Sequence, residues 1–215
     1  MPFLNILNML SSRTARNSSR DATVRSVVSE RAGREWCLFI DRDGVINRRV
    51  VGDYVRNWEQ FEWLPRSRLA LKMLRGWAPN LVVVTNQQGI GKGLMSADDV
   101  DDIHQHIVDE LSVEAVKIDA FQVCPHLESD GCACRKPRPG LVLSWLDAHA
   151  DSEPSLSIMI GDSLSDLELA TNVAAATGGC GSIQIGDTPC AGMAHGSFGS
   201  LWEFAVAVER ARGGL

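Results

Sequence analysis

With 215 residues the chain can bury one full core, or at most a domain with a tail beside it, and two large domains are excluded. The formal net charge of −6 argues against a nucleic-acid binder held by bulk electrostatics, and no apolar run approaches membrane-spanning length. The charge is uneven: residues 1–34 carry six arginines (13, 16, 20, 25, 31 and 34) against Asp21 and Glu30, a local +4 that leaves −10 elsewhere.

That opening segment is rich in Ser and Arg and keeps no apolar period after Leu10. Met1–Leu10 offers a short amphipathic turn, interrupted by Asn5 and Asn8. It lacks the basic start, long apolar stretch and cleavage site of a secretory signal, and its Arg and Ser content ranks an organelle transit peptide second. The expectation is a disordered extension, or a start codon assigned too far upstream, with the folded domain at residues 35–215.

From Glu35 on, strand-like and helix-like segments alternate. Cys37–Ile40 is an apolar run that reads as a strand buried on both faces, followed at once by Asp41-Arg42-Asp43-Gly44. Residues 44–64 have no helical period and carry Gly52-Asp53, which suits a flap or hairpin. Pro65 opens a helix bearing Leu69, Leu71, Met73 and Leu74, broken near Gly76 and Pro79. Leu81–Thr85 is a second buried strand. Ser96 starts a helix with Val100, Ile103, Ile107 and Leu111 at helical spacing. Ile118–Val123 is a third strand, and Pro139 opens a helix with Leu141, Val142, Trp145 and Leu146. Leu156–Ile160 is a fourth strand ending in Gly161-Asp162. Ser163 or Ser165 caps a helix carrying Leu164, Leu167, Ala170 and Val173. A weaker fifth strand, Ser182–Ile185, precedes a closing helix with Leu201, Phe204, Ala205 and Val208. The pattern predicts an α/β fold: a Rossmann-like three-layer α/β/α sandwich about a central parallel sheet.

An isolated Asp-x-Asp is equally well explained as a solvated turn. Here, however, Asp41 follows the first strand, Thr85 and Asn86 end the second, Asp162 ends the fourth, and Arg135 and Lys136 lie in the loop after the third. Chance would scatter such groups over both sheet edges, whereas ligands bind at the carboxyl edge of open α/β sheets. A carboxylate nucleophile, a divalent ion and a lysine suit phosphoryl transfer.

Asp41-Arg42-Asp43-Gly44-Val45-Ile46-Asn47, Thr85-Asn86-Gln87-Gln88-Gly89-Ile90, Cys134-Arg135-Lys136-Pro137 and Gly161-Asp162-Ser163-Leu164-Ser165-Asp166 resemble the four ordered motifs of haloacid dehalogenase (HAD) superfamily phosphatases. The resemblance runs from about Trp36 to Val173. It is nearest to the branch holding D,D-heptose 1,7-bisphosphate and histidinol-phosphate phosphatases. It implies that Asp41 is the nucleophile, that Asp43 is the acid and then the base, and that Thr85 and Lys136 hold the phosphoryl group. It also implies Mg²⁺ on the Asp41 carboxylate, the Asp43 carbonyl and Asp162. Asp166 is open between orienting the metal's waters and capping a helix. Ser163 departs from relatives with a basic residue there. No stretch between motifs is long enough for a large cap domain, so a capless HAD fold is expected.

The loop after the third strand holds Cys124-Pro125-His126 and, five residues on, Cys132-Ala133-Cys134. Three thiols and an imidazole in eleven residues suit a closed tetrahedral Zn²⁺ site that would order the loop and aim Arg135 and Lys136. A disulfide or idle thiols compete with that reading. Cys-x-Cys pairs bridge each other poorly, and a cytosolic chain keeps thiols reduced. Cys37, Cys180 and Cys190 read as ordinary thiols, and His104, His106, His149 and His195 as helix-surface or loop residues.

The zinc-loop spacer leans toward histidinol phosphate, but the charge favours a sugar bisphosphate. Arg48, Arg49 and Arg56 lie on the flap with Asp53 and Glu59, and Lys92, Arg135 and Arg138 lie on loops at the same edge. Gly52-Asp53-Tyr54-Val55 resembles the Gly-Tyr-Val flap of the heptose enzymes. The expectation is hydrolysis of the 7-phosphate of D-glycero-D-manno-heptose 1,7-bisphosphate by a cytoplasmic monomer without nucleic-acid or membrane partners. Asn47, Tyr54, Asn86, Gln88 and Arg135 are the expected substrate contacts. The rivals are a histidinol-phosphate phosphatase, a polynucleotide 3′-phosphatase and a catalytically silent zinc-loop binding protein.

Overall fold

The computed structural model describes residues 20–186 and 194–213. Six parallel strands, β1 (Cys37–Ile40), β2 (Asn80–Asn86), β3 (Ala120–Cys124), β4 (Ile158–Gly161), β5 (Gly181–Ile185) and β6 (Gly196–Phe198), lie in the order β3-β2-β1-β4-β5-β6. Successive side chains of β1 serve opposite faces, as the period of two requires. Leu38 and Ile40 enter one core with Leu81, Val83, Ile158 and Ile160, while Cys37 and Phe39 enter a second with Val82, Val84 and Met159.

Helices α2 (Ser67–Arg75), α3 (Ala97–Ser112) and α6 (Leu201–Ala211) cover the first face, and α4 (Gly140–Ala148) and α5 (Leu164–Thr177) the second. The expected stripes of α3 and α6 are buried in full, α3 starting from a Ser96–Asp99 capping box. Two expected stripe residues instead face solvent: Leu69 is 46% exposed and Leu164 49%. On α2 the buried face is Ala70, Leu71 and Leu74. Ser163 is the α5 cap. The short strand β6 was not foreseen, because only Phe198 of its three residues is a large apolar side chain.

The expected extension needs correction where it is described. Residues 20–30 form a helix, α1, whose Val24 and Val28 are buried in the first core. Beyond it Arg31 is buried too, donating from Nε to Leu156 O at 2.7 Å and from Nη1 to Val27 O at 2.9 Å. Arg34 pairs with Glu153. The folded unit therefore begins ahead of residue 35. Residues 1–19 and Cys190 lie outside the described residues. Among the described residues no helix is long and apolar enough to cross a membrane.

Between β1 and α2 the chain makes the expected flap. Arg48 N–H donates to Glu62 O at 2.7 Å and Leu64 N–H to Ile46 O at 3.0 Å, which closes its base. Its outer part holds a turn at Gly52 and a single 3₁₀ turn, Trp58–Gln60. No separate cap domain stands over the sheet edge among the described residues.

Candidate active site

The chain winds from β1 toward β2 and β3, and from β4 toward β5 and β6, so the winding reverses between β1 and β4. Such a switch point opens a crevice beyond the carboxyl ends of the strands. Asp41 and Asp162 follow the two strands that flank it, and Asp41 N–H still bonds the sheet at Ile160 O, 2.9 Å away. Above them is a cavity of about 410 Å³, lined among others by Asp41, Asp43, Thr85, Lys136 and Asp162.

Lys136 reaches in from the loop after β3. Its Nζ lies 2.7 Å from Asp41 Oδ1, 2.6 Å from Asp166 Oδ1 and 3.0 Å from Val84 O. Burial disfavours the ammonium, but the charges of Asp166 and Asp41 outweigh it and raise the lysine pKa. Asn86 fixes the lysine backbone, accepting from Lys136 N–H at 3.0 Å and donating to Lys136 O at 3.2 Å. Burial pushes the Asp41 carboxyl up to about 7 against the opposing pull of Lys136, with the charges of Asp166 and Asp43 adding to the rise.

Asp43 has different surroundings. It accepts from Arg42 Nη2 at 2.9 and 3.1 Å, from Asn47 Nδ2 at 2.9 Å and from Gln87 Nε2 at 2.8 Å. Burial would raise its pKa, but the Arg42 charge and these bonds prevail and lower it. Gln87 Nε2 also donates to Thr85 Oγ1 at 2.8 Å, tying the ends of two strands together. Arg42 is fully buried and meets His104 Nε2 at 3.3 Å. His104 is therefore a buried residue under the site, not a surface one.

Asp162 sits over Gly44, whose φ is +96° and whose hypothetical Cβ would fall 2.1 Å from Asp162 Oδ2. The positive φ calls for glycine there, and a side chain would also push the Asp162 carboxylate aside. Asp162 Oδ1 is buried without a partner. Asp41, Asp162 and Asp166 each bring an oxygen within 4.8 Å of the others. Asp166 is already spoken for, since Oδ1 meets Lys136 and Oδ2 accepts from Ser163 N–H at 3.1 Å, the α5 capping-box bond, and from Ser163 Oγ at 2.6 Å.

Of the expected substrate contacts, Tyr54, Asn86, Gln88 and Arg135 line the cavity. Asn47 does not: it is fully buried, donating to Asp43 and to Arg48 O, and that expectation is corrected. Gln87 and Arg42 were missed as site residues. Both stand inside the motifs, but nothing in their type says that they turn inward.

Cys124, His126, Cys132 and Cys134 come together as expected. His126 Nδ1 lies 3.1 Å from Cys134 Sγ and 3.7 Å from Cys124 Sγ, and the three sulfurs are 3.3–3.7 Å apart. These are edges of a tetrahedron of Zn²⁺ dimensions, about 2.3 Å from centre to sulfur, and too long for a disulfide. Main-chain bonds from Gln87 to Cys124 O (2.8 Å) and from Gly91 to Pro125 O (3.0 Å) join this loop to the one after β2.

No family model matches the chain. Over 187 residues it is 68% identical to the D-glycero-alpha-D-manno-heptose-1,7-bisphosphate 7-phosphatase of Mycobacterium tuberculosis (strain CDC 1551 / Oshkosh), covering 87% of this chain and 98% of that protein. It is 37% identical over 146 residues to the D-glycero-beta-D-manno-heptose-1,7-bisphosphate 7-phosphatase of Rhodopseudomonas palustris, covering 65% and 79%. The crystal structure of D,D-heptose 1,7-bisphosphate phosphatase from B. bronchiseptica, complexed with magnesium and phosphate, is similar with a TM-score of 0.69 and 28% identity, over 83% of this chain and 99% of that one. Sheet order, strand-end acids and these likenesses define a phosphatase of the HAD superfamily. Within it, the chain belongs to the family of D-glycero-D-manno-heptose-1,7-bisphosphate 7-phosphatases.

Proposed function

We propose that the protein hydrolyses the 7-phosphate of D-glycero-D-manno-heptose 1,7-bisphosphate, taking the α anomer named for its 68%-identical relative. The observation that carries this reading is the positive charge on the cavity wall. Arg49, Lys92 and Arg135 line it, while Asp53, which lines the same cavity, is already paired with Arg56. A second phosphate dianion suits such a wall, and the ammonium and imidazole of histidinol phosphate do not.

An Asp41 oxygen forms a bond to phosphorus as the bond from phosphorus to O7 of the sugar breaks, and Asp43 gives its proton to O7. Asp43, now a carboxylate, takes a proton from water, whose oxygen attacks the aspartyl phosphate. Inorganic phosphate leaves and Asp41 is restored. Thr85 and Lys136 hold the phosphoryl oxygens through both displacements. The donors around Asp43 at rest favour the base form, and an arriving phosphate dianion raises its affinity for the proton it must give.

The donor set suits Mg²⁺: hard carboxylate oxygens, an unpartnered buried Asp162 Oδ1 and the space kept by Gly44. Asp41, the Asp43 carbonyl and Asp162 would hold the ion, which neutralises charge on the phosphoryl oxygens when bound. Cys124, His126, Cys132 and Cys134 would hold a structural Zn²⁺.

The test is a comparison of kcat/KM for the α-heptose bisphosphate and histidinol phosphate with Mg²⁺ present. The heptose bisphosphate should be the better substrate by at least about tenfold, the worth of one charge-assisted contact. A preference for histidinol phosphate would overturn the reading.

A further inference from the structure

The flap carries three arginines, and only one of them is available to the cavity. Arg48 is held by Glu62, with Nε and Nη2 at 2.7 and 2.9 Å from its oxygens. Arg56 is held by Asp53, with Nη2 at 2.6 and 2.8 Å. Both pairs close within the flap. Arg49 instead crosses to the sheet edge, its Nη1 3.3 Å from Asp162 Oδ2.

That pairing is lopsided. The Arg49 side chain is 58% exposed, against 17% for Asp162. An ion pair so open to water is weak and easily exchanged. Its carboxylate is one that the proposed Mg²⁺ needs, and two cations cannot share so small a crevice without repulsion. At this point the flap is exposed between two anchors. Its base is fixed by the Arg48–Glu62 main-chain bond, and beyond the tip Tyr54 packs beneath Lys92, whose Nζ lies 5.3 Å from the ring centre. Between these anchors Val50 is 37% and Val51 94% exposed, and Gly52 turns the chain at φ +78°.

We propose that Arg49 is an exchangeable counter-ion. It neutralises Asp162 while no divalent ion is bound, leaves when Mg²⁺ arrives, and then meets the distal phosphate of the bisphosphate beside Lys92. The exchange stands on the geometry alone, whereas the hand-over to the distal phosphate rests on the proposed function. The flap thus links metal loading to recognition of the far end of the substrate, and Arg49 acts as a specificity-determining residue.

The test uses the full chain stripped of divalent ions and titrated with Mg²⁺ in a calorimeter. Arg49→Gln should bind Mg²⁺ about three- to tenfold more tightly than wild type, the size of a weak competing ion pair. Arg48→Gln removes the same charge from the same flap without touching Asp162, and should bind as wild type does. Equal affinity in wild type and Arg49→Gln, or equal tightening in both variants, overturns the exchange. In a second arm, the ratio of kcat/KM for heptose 1,7-bisphosphate over heptose 7-phosphate should fall about tenfold in Arg49→Gln, for one lost charge-assisted contact, and hold in Arg48→Gln. An unchanged ratio in Arg49→Gln overturns the hand-over. Wild-type protein unable to hydrolyse the bisphosphate would remove the functional reading, while the magnesium titration would still decide the exchange.

Discussion

Asp41 and Asp43 stand two residues apart, yet their carboxyls are prepared for different work. Asp41 is buried against a single ammonium and faces the cavity, while Asp43 is gripped by Arg42, Asn47 and Gln87. Asp41→Asn keeps the shape and removes the nucleophile, so turnover should fall to background with the fold retained, checked by phosphate release and circular dichroism. Asn47→Ala tests the inward placement of Asn47. It should lower kcat by about tenfold, for one lost hydrogen bond to a charged group, and leave KM about unchanged, since Asn47 lies off the cavity wall. A raised KM at constant kcat would instead place Asn47 on the substrate. The strand-end acids and Lys136 were legible because a buried apolar run fixes where its strand ends, and so fixes the sheet edge to which the next charge belongs. Asn47, Gln87 and His104 were not, because a polar side chain beside a site has the same sequence signature whether it turns inward or outward.

At the scale of elements, two segments outside the sheet shape the site and the stability. Helix α1 escaped the sequence reading because its stripe is short, Val24 and Val28 being followed one turn on by Arg31. What hides that arginine is a carbonyl far along the chain, Leu156 O. Deleting residues 1–33 uncovers the face that both valines cover, and should lower the unfolding free energy by about 3 kcal/mol, read from denaturant titration. No change would mean that α1 adds nothing to the core. In the loop after β3 the meeting of Cys124, His126, Cys132 and Cys134 was legible, since four metal-type ligands stand there at close spacing, whereas Arg138 turns back to Cys132 O and does not line the cavity. Purified protein should carry about one zinc per chain, as a closed four-ligand site does. Cys132→Ser should lower both zinc content and kcat, because the same loop carries Arg135 and Lys136 to the cavity. Full activity in zinc-free protein would remove that role.

For the molecule as a whole, the parallel sheet and its alternating apolar runs were readable from Glu35 on, and the switch between β1 and β4 explains why acids from distant segments meet. The net charge of −6 describes the chain but not the cavity, whose lining includes Arg49, Lys92 and Arg135. Sequence alone counted Arg48 and Arg56 there as well; the structure shows both neutralised within the flap. What remains is a cavity whose acids and Lys136 suit the proposed displacement at phosphorus and whose lining cations suit the proposed second anion. Phosphorus NMR of the protein incubated with Mg²⁺ and D-glycero-α-D-manno-heptose 1,7-bisphosphate tests this most directly. The account predicts growth of inorganic phosphate and loss of the 7-phosphate resonance while the anomeric 1-phosphate persists; loss of the 1-phosphate first, or no phosphate release, would contradict it.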